Sequence, residues 1–397
     1  MATFSVRFLG CKVSYADTQA VRERLLRDGH AEAEDGAEVA VVNTCCVTHE
    51  AVSKSRQAVS RAARTHERVY VTGCASNLEG AFGGMAHNVT VIARRSEDTP
   101  EAVAGDVGAI GCVQATARLD RTRAFVKIQD GCSFSCAFCV IPLVRGGTRS
   151  RHARAVLAEI EKRVAQGHRE IVLTGVNLGC FRDREAGFTL ARLVREAGSL
   201  AGVERLRLSS IEVNHLSKEL VSALRETPSA SPHLHVPLQS GDDEVLSAMG
   251  RRYSAAQYVA KIEPLGDFNL TADVIVGFPG EDEDAFARTL ELVERAGLTR
   301  VHVFPYSPRP GTATAAEDTV PPTVKRERSA RLRALSDALS RKRWESKVGT
   351  TDRVLVDRPG RGYGEDYTPW LVDAEVGQLL RARAVGVSEE GILAVAA

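Results

Sequence analysis

The chain has almost no net charge: 52 Lys and Arg stand against 51 Asp and Glu, leaving +1 over 397 residues. Any affinity for nucleic acid must therefore come from local clustering and not from the whole surface. No apolar run reaches the ~20 residues that span a bilayer. Residues 1–13 lack the basic stretch and apolar core of a secretory signal. These two absences predict a cytoplasmic protein with no membrane contact. There is no long-period repeat and no low-complexity tract. At roughly 100–200 residues per domain, the length implies two or three domains. Hydrophobic residues at 44% suffice for real cores, and 26% charged residues are ordinary for a globular chain. In a reducing compartment the nine cysteines are not expected to pair as disulfides. Grouped cysteines there point to metal or redox chemistry.

Strands alternate with helices along most of the chain, which implies parallel sheets. In the first hundred or so residues, 5–10, 39–43 and 69–72 read as strands, and 15–27 and 51–64 as helices. From 99 to 121 the periodicity fades and a connector is expected. A second alternating region follows, with strands at 125–129, 170–174, 205–209, 233–238, 271–276 and 300–304. Helical stretches at 155–166, 190–197, 218–224, 255–265 and 282–296 separate them. Six β–α units in series fit an open or partial (β/α) barrel, with a doubly wound sheet as the alternative. Residues 324–347 form one long basic helix, and short alternating segments after Gly349 read as a small all-β module.

The strongest local motif is Cys132-Ser-Phe-Ser-Cys136-Ala-Phe-Cys139, just after the first strand of the second region. Three thiolates this close suit a soft metal site. A four-iron cluster normally takes four cysteines, so three leave one iron open to an outside molecule. S-adenosylmethionine (SAM) is a molecule whose amino and carboxylate groups can chelate such an iron. Zinc is the competing reading, but it wants a fourth protein ligand, and His152 is not at finger spacing. At this motif the sequence resembles the radical SAM superfamily. The resemblance implies that Phe138 packs near the SAM adenine.

Cys11, Cys45 and Cys74 follow the first three strands. The carboxyl ends of parallel strands share one edge, so three residues distant in sequence would meet in space. Each sits in a polar or glycine-bearing turn: Leu9-Gly10-Cys11-Lys12, Asn43-Thr44-Cys45 and Thr72-Gly73-Cys74. Cys46 is open to the same role as its neighbour Cys45. Cys112 and Cys180 have no partner at useful spacing and read as structural.

With these segments the chain resembles the methylthiotransferase family over nearly its whole length. Leu9-Gly10-Cys11-Lys12-Val13 is similar to the branch acting on N6-threonylcarbamoyladenosine (t6A) in tRNA. So are Leu173-Thr174-Gly175, Ser209-Ser210-Ile211-Glu212, Pro237-Leu238-Gln239-Ser240-Gly241, Val276-Gly277-Phe278-Pro279-Gly280-Glu281 and Phe304-Pro305-Tyr306-Ser307. Ser14, Asp17 and Cys46 depart from that branch's usual Asn, Glu and Thr. The resemblance implies a doubly wound N-terminal domain over 1–110, a partial (β/α)6 radical SAM barrel over 118–340 and an RNA-binding β-module called TRAM over 343–397. It places the second set of ligands on Cys11, Cys45 and Cys74, preferring Cys45 to Cys46 because the ligand follows Asn-Thr.

The implied activity is methylthiolation of C2 of t6A at tRNA position 37. The alternatives are isopentenyladenosine in tRNA or a ribosomal protein side chain. A non-catalytic iron–sulfur RNA-binding sensor is the reading from another class. The enzyme would carry two 4Fe-4S clusters, one on Cys132, Cys136 and Cys139, and would consume SAM. A C–H bond on an adenine ring has no acidic proton, so the cofactor must supply a radical and the protein must position it. The expected partners are a tRNA anticodon stem-loop, a flavodoxin-like or similar electron donor and a sulfur donor, with the protein itself a monomer. Thr174, Gly175, Ser210, Glu212 and Gln239 fall at or near barrel strand ends, where SAM contacts would form. A helix-capping role is the alternative for the Ser and Glu among them. The Gly277–Glu281 turn would let backbone approach a ligand. For RNA, two basic stretches are candidates: Arg145, Arg149, Arg151 and Arg154, and the bases of 324–347. Tyr363, Tyr367 and Trp370 would add aromatic contacts.

Overall fold

The computed structural model describes residues 1–109 and 122–397. The chain forms two compact units. One holds the described residues of Met1–Arg118 with Asp130–Thr148 and Ser307–Ala316. The other holds those of Leu119–Gln129 with Arg149–Tyr306 and Glu317–Ala397.

The first unit is built on β1 (Thr3–Phe8), α1 (Lys12–Arg27), β2 (Ala31–Glu32), β3 (Val39–Thr44), α2 (His49–Ala62), β4 (Arg68–Gly73), β5 (Val89–Val91) and α3 (Thr99–Val107). Its strands lie parallel in the order β2-β1-β3-β4-β5. β3 is buried at all six positions, as a parallel strand covered on both faces should be. Alternate residues divide the two faces. Val39, Val41 and Tyr70 pack with Val21 and Leu25 of α1 and Val103 and Ala104 of α3. Ala40, Val42, Val69 and Val71 pack with Ala58 and Val59 of α2. Helices therefore cover both faces, and the sheet is doubly wound. α2 starts where Thr48 Oγ1 accepts from the Ala51 amide at 3.0 Å.

The connector expected over 99–121 is partly corrected. Its first part is α3, whose buried Val103 and Ala104 supply one apolar side. Nine residues hold too few turns for periodicity to declare a helix, and packing on α1 stabilises it. Cys112 and the expected boundaries at 110 and 118 lie outside the described residues. Within Asp130–Thr148 a short helix, α4 (Ile141–Arg145), follows the Cys132–Cys139 loop.

The second unit contains β6 (Arg123–Lys127), β7 (Glu170–Thr174), β8 (Arg205–Leu208), β9 (His233–His235), β10 (Asn269–Val276) and β11 (Arg300–Pro305). Two parallel sheets, β8-β7-β6 and β9-β10-β11, are joined by the bridges Leu206–Ala230 and Ser210–His235. The spatial order of the six strands is thus their chain order, and no pairing among the described residues returns β11 to β6: the barrel is open. Alternation again sets the faces. Ala124, Val126, Ile171, Leu173, Leu206, Leu208, Leu270, Ala272, Val274 and Val276 enter the large core under the surrounding helices. The interleaved set, which includes Arg123, Glu170, Arg205, Arg207, Thr271 and Asp273, faces the other way.

The chain closes with α5 (Pro322–Ser346) and five strands, β12 (Thr351–Arg358), β13 (Arg361–Tyr363), β14 (Pro369–Leu371), β15 (Leu379–Val387) and β16 (Ile392–Ala396). These form a closed barrel in the order β12-β13-β14-β16-β15. Its core is Val354, Val356, Trp370, Val372, Ala382, Ala384 and Ile392. No described helix is long and apolar enough to cross a membrane.

Candidate cluster sites and the strand-end face

In the first unit, Cys11, Cys45 and Cys74 stand just past the carboxyl ends of β1, β3 and β4. β1 and β3 are neighbours on opposite sides of the point where strand order reverses, the place where open α/β sheets bind ligands. Cys11 is exposed and occupies the N-cap position of α1. Its carbonyl accepts from Tyr15 N at 3.0 Å, and Ser14 Oγ lies 3.9 Å from its sulfur. Cys45 is clamped by Ser55 of α2, whose Oγ accepts from its amide at 3.1 Å and donates to its carbonyl at 3.2 Å. The Cys74 amide donates to Thr44 O at 2.9 Å.

Two glycines permit these turns. Gly73 has φ +92°, and a Cβ there would lie 2.3 Å from Asn43 Oδ1 and 2.6 Å from Thr44 O. Gly10 has φ +137°, and its Cβ would lie 3.5 Å from Cys45 Cβ, which brings the Cys11 and Cys45 turns together.

The electrostatics separate the thiols. Burial, with the charges of Cys74 and Cys11, pushes Cys45 up to about 11. A hydrogen bond between Cys46 and Cys74 raises Cys46 and lowers Cys74. That bond and Arg145 hold Cys74 below the ordinary thiol value, against its burial. Arg145 Nε donates to Cys74 Sγ at 3.0 Å.

The Cys132–Cys139 loop belongs to the same unit. Cys132 N donates to Gly146 O at 3.0 Å. Ser133 and Thr148 exchange amide-to-hydroxyl bonds at 3.1 and 3.0 Å. Phe134 N donates to Cys132 Sγ at 3.4 Å. Thr314 ties the far side through its amide and hydroxyl to Ala137 O. Cys132, Cys136, Phe138 and Cys139 are all half-buried. Among the described residues, no group of three or more His, Cys, Asp or Glu side chains is arranged to hold a metal ion. The donor chemistry nevertheless fits iron–sulfur clusters. Three thiols stand at one strand edge and three on one loop, with a buried guanidinium against one sulfur. Asn43 Oδ1 and Thr72 Oγ1 are buried at the same edge with no hydrogen-bond partner.

In the second unit, the expected SAM residues lie at the carboxyl ends of β7, β8 and β9. Thr174 Oγ1 and Ser209 Oγ are buried without a partner, as hydroxyls awaiting a polar ligand would be. A Cβ on Gly175 would come within 2.9 Å of Gln129 Oε1. Ser210 is half-buried and bridges to His235. Gln239 has φ +69°. Its amide donates to Asp273 O and its carbonyl accepts from Ile275 N, both at 2.9 Å, so the fold imposes this strained backbone at the strand end. Glu212 is engaged: it accepts from Asn214 N at 2.9 Å and pairs with Arg251 at 3.2 Å. That is the capping role weighed for it. Gly277 has φ +70°, but a Cβ there would strike Lys325 Cγ at 2.4 Å; the group approaching this turn is a lysine stem.

The residues expected to contact RNA are largely accounted for otherwise. Arg145 is buried and paired with Asp17 and Asp130 at 2.9 and 3.0 Å. Arg151 pairs with Glu159. On α5, Lys325, Arg328, Arg331, Arg341 and Arg343 pair with acids, as does Lys347 just past its end. Arg326, Arg333 and Lys342 are exposed and have no such partner among the described residues. Trp370 is a buried core residue of the closed barrel. Tyr363 and Tyr367 stack at 4.6 Å, with Arg207 4.6 Å from the Tyr367 ring centre and Arg123 5.1 Å from that of Tyr363. They fasten the closed barrel to the open one.

Sequence reasoning missed the role of Arg145 and the anchoring role of Arg205 and Arg207. A basic residue two positions along a buried strand from another was a usable signal for the latter pair.

Two family models match: the radical SAM superfamily over residues 126–293 and the uncharacterized protein family UPF0004 over 3–93. The chain is 34% identical over 423 residues to threonylcarbamoyladenosine tRNA methylthiotransferase MtaB of Thermotoga maritima, covering 99% of this chain and 96% of that one. It is 36% identical over 417 residues to tRNA-2-methylthio-N(6)-dimethylallyladenosine synthase of Sorangium cellulosum, covering 92% and 84%. Among solved structures, the radical S-adenosylmethionine methyltransferase TsrM of Kitasatospora setae superposes with a TM-score of 0.58 at 16% identity, covering 80% and 78%. The last likeness concerns the fold.

Proposed function

Because the chain belongs to the radical SAM methylthiotransferase family of enzymes, we propose that it methylthiolates C2 of N6-threonylcarbamoyladenosine at position 37 of tRNA. The observation that carries this reading is the presence of two cysteine triads in one compact unit. Radical SAM enzymes use SAM and one 4Fe-4S cluster, which we assign to Cys132, Cys136 and Cys139. A second 4Fe-4S cluster on Cys11, Cys45 and Cys74 is the part of the proposal specific to sulfur insertion. When bound, these groups supply the hydrogen-abstracting radical and the sulfur that an unreactive adenine C–H bond requires.

The protein's own residues bind and orient. Thr174 and Ser209 offer buried hydroxyls with no other partner, and Ser210, Gly175 and Gln239 stand beside them at the strand ends. Glu212 holds its loop through Asn214 and Arg251 and keeps lone pairs for a ligand. Phe138 offers an apolar face to an adenine. The domain scheme is an N-terminal cluster domain (1–110), a radical SAM barrel (118–340) and a TRAM-like RNA-binding module (343–397). The closed five-stranded barrel supports the last of these. An anticodon-loop base is already unpaired, which lowers the cost of enclosing it. A flavodoxin-like reductant, a sulfur donor, a monomeric state and a cytoplasmic location belong to the same reading.

The choice of t6A rests on Leu9-Gly10-Cys11-Lys12-Val13 and on the MtaB relatives, which match this chain end to end. Relatives named for dimethylallyladenosine are as similar, so the nucleoside product must decide. The test is mass spectrometry of tRNA nucleosides from a bacterial host that lacks its own methylthiotransferases but makes both precursors. Methylthio-t6A is the expected product. Methylthio-isopentenyladenosine would keep the reaction and change the substrate, and neither product with both clusters intact would overturn the reading.

A further inference from the structure

Arg145 is a buried cation on the short helix that follows the Cys132–Cys139 loop, and every edge of its guanidinium is engaged. Nη2 donates to Asp17 Oδ2 at 2.9 Å, and Nη1 donates to Asp130 Oδ1 and Oδ2 at 3.0 and 3.2 Å. Nε donates to Cys74 Sγ at 3.0 Å. All four residues lie in the first unit. Asp130 is in turn fixed by Ser96 Oγ and by the Gly131 amide. Two carboxylates therefore hold the guanidinium in one orientation, aiming its third edge at sulfur. An ion pair alone would need one carboxylate. The second orients the fork, and the sulfur is what it is oriented toward.

The next residue, Gly146, carries the carbonyl that accepts from the Cys132 amide at 3.0 Å. Gly131 packs so closely there that a Cβ would lie 2.1 Å from Gly147 O. The backbone that sets Cys132 and the side chain that reaches Cys74 are thus adjacent residues of one closed loop.

We propose that Arg145 is a positioning residue for the second cluster, hydrogen-bonding the Cys74 ligand sulfur and raising the cluster's reduction potential. The proposal rests on the reading of Cys74 as a ligand. Hydrogen bonds to cluster sulfurs and nearby charge are the levers by which a protein tunes such a potential. A donor and a positive charge beside a thiolate favour the reduced state, which carries one more electron. Loss of Arg145 would also leave Asp17 and Asp130 uncompensated, which acts in the same direction.

The test uses full-length protein with Cys132, Cys136 and Cys139 all changed to Ala, so that only the second cluster can form. Iron content and an EPR-monitored redox titration are compared with and without Arg145→Gln. The expected result is a similar iron content and a midpoint potential lower by ~59 mV or more, the one-electron equivalent of a tenfold change in the reduced-to-oxidised ratio. Arg145→Lys, which keeps the charge but not the planar fork, should fall between. No cluster in the triple-Ala background overturns the reading of Cys74 and the proposal with it. A cluster whose potential Arg145→Gln leaves unchanged overturns the proposal alone. Should Arg145→Gln fail to load iron, 15N-arginine labelling of protein that keeps Arg145 decides. A guanidinium nitrogen coupled to the reduced cluster, absent in Arg145→Lys, supports the contact, and no coupling overturns it.

Discussion

Arg205 donates to Glu170 at 3.1 Å with both side chains buried, and the same guanidinium donates to the carbonyls of Tyr363, Gly364 and Arg353. One residue of an open-barrel strand thus holds three backbone acceptors of the closing module. Arg207 shares Glu170 at 3.0 Å and reaches Glu365 O at 3.4 Å. Burial pulls Arg205 down from the ordinary guanidinium value, and Glu170 pulls it back. Removing the carboxylate leaves two buried cations uncompensated. Glu170→Gln should cost ~3–5 kcal/mol in a urea melt, while the iron content of the folded protein stays unchanged. A loss below ~1 kcal/mol would show that the pair does not anchor the module.

Acid should release this module. Burial opposes ionisation of Glu170, but Arg207, Arg205 and Arg123 outweigh it and hold the carboxyl at about 2. Asp366 is likewise held at about 2, against its burial, by Lys347 and Arg343. Both folded values lie below the unfolded ones, so the stabilisation is complete above the ordinary carboxylate range and is lost as pH falls toward 2. Near-UV circular dichroism, with Trp344 and Trp370 as reporters, should collapse between about 4.5 and 2. In Glu170→Gln the collapse should begin from a lower starting stability and show a shallower pH dependence.

Among the N-terminal thiols, Cys11→Ala, Cys45→Ala and Cys74→Ala should each remove one cluster's iron and leave SAM cleavage intact. Cys132→Ala should abolish cleavage. Cys46→Ala should retain the iron, because it is Cys45 that directly follows Asn43-Thr44. Iron analysis together with 5′-deoxyadenosine release reads both outcomes. Loss of iron in Cys46→Ala with a silent Cys45→Ala would exchange the two assignments.

Gly73→Ala should damage the same edge without touching a sulfur. Its φ of +92° and the 2.3 Å approach to Asn43 Oδ1 forbid a Cβ, and the strain amounts to ~1–3 kcal/mol. The Cys74 turn must shift, so reconstituted iron should fall while far-UV circular dichroism is kept. Full iron loading would show that the turn tolerates the shift.

Ala substitution of Arg326, Arg333 and Lys342, the α5 bases without an acidic partner among the described residues, should weaken tRNA binding and flatten its salt dependence. The slope of log K against log salt should drop by roughly 0.7–0.9 for each phosphate left without its cation. Tyr363→Ala should act on stability instead, since its ring is stacked on Tyr367 under Arg123. Filter binding at several salt concentrations separates the two.

Much of the architecture is local and legible in the sequence. A run such as Val39–Thr44 is apolar because both faces of a parallel strand are covered, and the Cys132, Cys136 and Cys139 motif is legible because its whole spacing lies within a few residues. The placement of Cys11, Cys45 and Cys74 at one edge follows from strand alternation alone. What tertiary structure decided is which partner takes each polar side chain. By its neighbours in sequence Arg145 is a phosphate contact; in the fold, Asp17, Asp130 and Cys74, distant in the chain, surround it. Tyr363, Tyr367 and Trp370 have the composition of an RNA surface, but Arg123, Arg207 and the barrel core occupy them. α3 declares itself only by packing on α1. Periodicity reports which way a residue faces, because a helix or strand repeats within a few residues. The valence of a charge or ring is filled by groups tens to hundreds of positions away, and only the folded chain brings them together.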